Sequence, residues 1–255
     1  MTEPALPAPP VVDWSALSRR RLGKMRRAAR DLFEVLETCA REGRHPVRDV
    51  IAAAGDFNCA QHYPSNDVED PATGCAWYYH AHGAAQAPAW EEHGHFHCFM
   101  YTERLSPAAR PMALPAHPDF NQGGLVHLAA ISFDARGAPA RLFIPNRWVT
   151  DEWLYPARHI ITLLDQFSIS SDTRHELTNR FLSAVLRLFH PHIAAALRER
   201  DRAIRARNKD NARDFTEEPS IPVTASMALD LDAHLAALDR AWEYAGRRRS
   251  TEGVA

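Results

Sequence analysis

The chain has 255 residues, 45% of them apolar and 24% charged, the balance of a globular protein that builds its own core. Thirty basic and 32 acidic residues give a formal net charge of −2, which argues against the strongly basic surface of a dedicated nucleic-acid binder. Cys39, Cys59, Cys75 and Cys98 are far apart and form no C-x-x-C pair, so neither a zinc knuckle nor a secreted disulfide frame is expected. Reduced thiols and a cytoplasmic location are the simplest reading. Met1 to Pro10 lacks the basic start and apolar run of a signal peptide. No run of 18 apolar residues occurs, so no membrane partner is expected.

Residues 1–12 read as a flexible, proline-rich tail, 13–248 as one domain, and 249–255 as a second tail. From Trp14 to about Arg41, Leu17, Leu22, Met25, Ala29, Leu32 and Leu36 recur at helical spacing. They predict an amphipathic helix with a possible break at Gly23. Its arginine clusters at 19–21 and 26–27 read as a solvated face. A short helix is expected over Pro46–Ala54, and a loop over 55–76, where turn residues are dense. Period two then takes over, with strands expected near 75–82, 93–102, 124–134 and 140–149. Asp134-Ala135-Arg136-Gly137 supplies the turn between the last two. Helices are expected near 157–168, 173–189, 191–208 and 225–246. The order implies an α+β fold: an antiparallel sheet of four or more strands, about 75–149, flanked by N-terminal and C-terminal helices.

Five of the fourteen histidines fall between His80 and His97. Side chains alternate across a strand, so His80 and His82 share a face, as do His93, His95 and His97. Gly94, Phe96, Cys98 and Met100 take the other face and suit a core. If the two strands pair with His82 opposite His93 or His95, both histidine sets meet on one face; a one-residue slip separates them. Imidazoles at cross-strand spacing can converge on one ion. His127 is a further candidate from the third strand. The expected metal ligands are thus His80, His82, His93, His95, His97 and His127, with Glu91, Glu92 and Glu103 as candidate carboxylates. Histidine with carboxylate suits iron(II) or zinc. Trp77, Tyr79, Phe99 and Tyr101 are expected as aromatic walls. His95, Tyr79 and Arg147 are the candidate catalytic groups, with Arg147 able to clamp a substrate anion. His117, His159, His175, His190, His192 and His234 are expected to be structural.

His93-Gly94-His95-Phe96-His97-Cys98-Phe99 resembles the motif of the histidine-triad nucleotide hydrolases. That resemblance implies His95 as nucleophile, with His93 and His97 as its supports. The combination of Tyr63-Pro64, Asp67–Asp70, Tyr79–His82, Glu92–His97 and Asn146–Thr150 resembles an uncharacterised bacterial family over roughly residues 60–155. It implies no activity. The H-x-H spacing is similar to that of cupin barrels, without the rest of their motif. The expectation for function is a metal-dependent enzyme acting on a small molecule. Iron-based oxygen chemistry is slightly preferred over zinc hydrolysis. A metal-free, triad-like nucleotide hydrolase and a non-catalytic metal or haem binder are the alternatives.

Overall fold

The computed structural model describes residues 11–52, 57–59, 61–82, 91–117, 124–207 and 215–252. The proline-rich segment before Val11, most of the loop expected between the histidine strands and the last three residues lie outside that set.

The chain opens with helix α1, Arg19–Glu42, and the short α2, Pro46–Ala52. Ser18 caps α1 by accepting from Arg21 N, and Gly43 ends it in the left-handed region at φ 65°, which only glycine adopts without strain. Leu22, Met25, Ala29, Leu32, Val35 and Cys39 form its buried stripe. α1 runs through Gly23 without the expected break. The strands follow: β1, His62–Asp70; β2, Cys75–His80; β3, Gly94–Tyr101; β4, Leu125–Phe133; β5, Pro139–Pro145. After β5 come the single-turn helices α3, Arg147–Thr150, and α4, Ala157–Ile160. They lead to α5, Glu176–Leu188, and α6, His190–Arg207. Strand β6, Val223–Ala228, and helix α7, Leu231–Glu252, close the chain. No helix among the described residues is long and apolar enough to cross a membrane.

All six strands form one antiparallel sheet in chain order, β1 to β6. This is the expected α+β architecture with two strands added. β1 lies in the stretch expected to be loop. Its sequence is that of an edge strand, with Pro64 and several charged residues, and such residues discourage pairing with further chains. Only Tyr63, Val68 and Asp70 are buried. β6 lies where the helix 225–246 was expected to begin. Its run of small residues carries no period signal, and pairing with β5 decides its state. The fourth expected strand stops at Pro145, because Asn146 turns the chain by capping α3 through Arg147 N. The expected C-terminal tail is helical as far as Glu252.

The sheet has two unlike faces. Trp77, Tyr79, Phe96, Cys98, Ile131, Phe133 and Leu142 turn to the helices and are fully buried. α5 packs directly on this face: Phe181 meets Phe133 at 5.7 Å, and Trp77 Nε1 donates to Asn179 Oδ1 at 2.7 Å. α1 lies outside α5 and beside α7. The other face carries the histidines.

Two buried details pin β1–β3 in place. Asp70 accepts backbone N–H bonds from Ala72 and Thr73 in its own turn and from Ser170 and Ser171 ahead of α5. Burial alone raises its pKa, but these donors outweigh it and leave the pKa at about 2. A Cβ on Gly94 would sit 2.5 Å from the carbonyl oxygen of His80 and from the Tyr79 hydroxyl.

Asp70→Ala is expected to cost about 2–4 kcal/mol in urea unfolding, because several donors lose a charged acceptor. A carboxyl with a depressed folded pKa stabilises above its unfolded value near 4 and loses that contribution as pH falls toward 2. The variant should therefore lose the wild-type decline across that window. Gly94→Ala is expected to lower the unfolding midpoint sharply, since the clash is with backbone; an unchanged midpoint would contradict the close approach of β2 and β3.

Candidate metal centre

The β2–β3 register places His80 opposite His95 and Tyr78 opposite His97. This is the pairing that joins the two histidine sets. The imidazoles form a continuous row: ring centroids lie 4.6 Å apart for His80–His82, 5.2 Å for His82–His95 and 4.6 Å for His95–His97. His97 then meets His127, with Nδ1 and Nε2 3.0 Å apart. Tyr78, Phe99 and Phe143 supply aromatic contacts on this face.

His127 reaches the row through a register shift. β4 pairs Ala129 with Cys98 on the helix face, yet His127 pairs with Phe99 on the histidine face. Leu128 is the extra residue between them. Strict alternation would send His127 to the helix side, and this bulge reverses it. Its backbone N–H donates to Glu152 Oε2 at 2.7 Å.

Glu92 completes the site. Its Oε1 lies 2.8 Å from His95 Nδ1, and its Oε2 accepts from the Ser132 hydroxyl. One ligand atom each from His82, Glu92 and His95 lies within 4.8 Å of the others. The set is two histidines and one carboxylate, and the span suits metal–ligand bonds of about 2.0–2.2 Å after small side-chain adjustment. Arg141 stands opposite Ser132 on β5 and interacts electrostatically with Glu92.

Burial favours the neutral form of His80, His82, His97 and His127. His80 is lowered to about 4, first by burial and then by its histidine neighbours. His82 is lowered by burial and by His95, with Glu92 opposing. His97 is held well below the ordinary value by burial, His95 and His127. Burial and then Arg200 lower His127 to about 3. Burial raises Glu152 to about 7 against the pull of Arg200 and the His127 N–H. Neutral imidazoles present the lone pairs that a metal needs.

Five expected site residues lie elsewhere. His93 is not on the histidine face: it precedes β3, its Nδ1 shares a 2.7 Å hydrogen bond with the Tyr79 hydroxyl, and it stacks on Phe57. The chain departs from strict alternation just before Gly94, so its parity does not carry back to His93. Tyr79, with Trp77, faces the helix side and packs on Phe96. Its expected place beside the histidines is corrected to the core. Arg147 is buried and held by Asp151 and Glu217, so its side chain braces α3 instead of clamping a substrate. Glu103 falls in a 3-10 turn beyond β3. Ser132, Arg141 and Glu152 were not anticipated; only the pairing of β4 with β3 and β5 brings the first two to the site. Of the histidines expected to be structural, His175 bonds Asp172, while His192 and His234 pack around Trp14 and Phe189.

One family model covers residues 26–229, from within α1 to just past β6. The chain belongs to the family described as Domain of unknown function (DUF6969). The match contains the whole sheet and every member of the candidate site. No curated protein and no solved structure matches the chain.

The depressed imidazoles predict acid sensitivity in the metal-free protein. Their folded pKa values lie below 6.5, so protons bind the unfolded chain first and stability falls as pH drops from about 6.5 toward 4. Glu152 opposes this as a single group. Urea unfolding in chelator should show the decline, and His127→Gln should make it shallower by about 1.4 kcal/mol per pH unit at most. A flat profile from pH 6.5 to 4.5 would contradict the neutrality of His80, His82, His97 and His127.

Proposed function

We propose that this protein is a metal-dependent enzyme acting on a small molecule, with one divalent transition metal held by His82, Glu92 and His95. The observation that carries the reading is the convergence of those three side chains on a sheet face that also bears neutral imidazoles and aromatic rings. Two histidines and one carboxylate leave coordination positions open, an arrangement that suits iron(II) and oxygen chemistry. Zinc with an activated water is the hydrolytic counterpart. Ser132 orients the carboxylate from outside the ligand set, as supporting groups in metal sites do. Arg141 is the cation placed to receive an anionic substrate group, the role the sequence suggested for Arg147.

A metal-free reading draws on the same 2.8 Å contact. Glu92 on His95 Nδ1 leaves Nε2 as a base or nucleophile, as in the histidine-triad resemblance. A closed, coordinatively saturated site would instead mark a metal carrier.

Elemental analysis of protein purified without a histidine tag separates these readings. Near-stoichiometric iron or zinc is expected. It should fall at least tenfold in His82→Ala, Glu92→Ala and His95→Ala and stay unchanged in His93→Ala, whose side chain is on the other face. Folded protein that remains metal-free after reconstitution with iron(II) and zinc would overturn the proposal. Activity on nucleotide phosphoramidates that persists in chelator would establish the metal-free reading.

A further inference from the structure

The outer surface of α1 poses an electrostatic problem that the histidine site does not touch. From Arg19 to Arg30 the helix carries Arg19, Arg20, Arg21, Lys24, Arg26, Arg27 and Arg30 and no carboxylate. Like charges three and four positions apart on a helix repel, and cations at its N-terminal end oppose the macrodipole. Part of this is neutralised. Arg21 and Lys24 both pair with Asp165 at 2.6 Å, and Arg26 approaches Asp239 at 3.9 Å. Arg19 and Arg26 lie over the Trp242 ring at 4.0 and 5.0 Å. Arg27 and Arg30 are exposed, one turn apart, and have no ion-pair partner among the described residues.

These two arginines stand between two cavities. The larger, about 500 Å³, lies between α1 and α7 and has an apolar floor of Ala29, Leu235 and Leu238, with Phe33 at its rim and the Asp239 carboxylate, held near Arg26, also in its lining. Phe33 is 45% exposed, an uncovered aromatic ring. The smaller, about 290 Å³, is bordered by Lys24, Asp31, Asp165 and Arg187. Arg27 and Arg30 line both. Guanidinium forks match phosphate oxygens in pairs. A flat apolar body suits the larger cavity, whose size is that of a small-molecule site.

We propose that the α1–α7 groove binds a nucleotide, its base against Phe33 and the apolar floor and its phosphates across Arg27 and Arg30 toward Lys24 and Arg187. The groove is separate from the histidine face, with α5 and the sheet between them. Its ligand relieves the repulsion along α1, and additional phosphates reach into the smaller cavity.

Titration calorimetry on the full chain with ATP, AMP and inorganic phosphate as separate probes, in chelator, tests this. ATP should bind more tightly than AMP, and both more tightly than phosphate. Arg27→Gln with Arg30→Gln should weaken ATP at least tenfold with a thermal midpoint no lower than wild type, because both side chains are exposed and their removal relieves repulsion along α1. Phe33→Ala should weaken ATP and leave phosphate unaffected. The proposal is overturned by absence of ATP binding at millimolar concentration, by equal affinity in the double-arginine variant, or by phosphate binding as well as ATP. Tighter binding of a short-chain phosphatidic acid would assign the groove to a lipid and overturn the nucleotide. An oligothymidylate that displaces ATP and binds more tightly would assign the groove to a single-stranded nucleic acid and overturn the nucleotide.

Discussion

The pairing of β2 with β3 is the constraint on which the rest depends. Trp77 and Tyr79 from one strand and Phe96 and Cys98 from the other must all face the helices, and each is fully buried. That requirement admits the register with His80 opposite His95 and excludes the one-residue slip, which would turn one strand over, sending its two core side chains to the histidine face and its histidines to the helix face. Gly94 lets the strands approach closely enough for the pairing to hold. The core thus sets the site from behind: the residues that gather the imidazoles are the apolar ones between them.

Electrostatics then sorts the gathered groups. A row of imidazoles cannot all be protonated at contact distance, and burial reinforces the neutrality of His80, His82, His97 and His127. Glu92 is the carboxylate set directly against the row, with Ser132 and Arg141 beside it. At the far end, His127 and Glu152 are both buried, and His127 Nδ1 and Glu152 Oε1 have no partner among the described residues. Burial moves the two pKa values in opposite directions: His127 stays neutral, while Glu152, raised to about 7, is part protonated near neutral pH.

Much of this arrangement was legible in the sequence because alternation is a local rule. The apolar positions of β2 and β3 fix two faces, and the histidines between them had to share the other. What escaped were departures from that rule. His93 looked like a third member of the H-x-H series, but the strand begins after it. His127 was legible as a candidate from the third strand, but strict alternation would have sent it to the helix side, and only the bulge at Leu128 brings it to the row. β1 and β6 were misread because edge strands carry charged, proline-containing or small-residue sequences that resemble loops and helices. Arg147 was placed by its position after a strand, whereas the ion pairs that occupy it come from residues distant in the chain. The supporting roles of Ser132 and Arg141 depend on cross-strand pairings that only the assembled sheet defines.

Strand order equal to chain order has a consequence for how the molecule assembles. β1 to β5 can zip hairpin by hairpin, each step closing a modest loop at low entropic cost. His80, His95 and His127 all lie within this early section. β6 is different: between Pro145 and Val223 the chain must first lay down α3 to α6, so its pairing with β5 closes a long loop. Contacts distant in sequence slow folding, which makes β6 the late arrival and leaves the histidine face free to take shape before the sheet has its second edge.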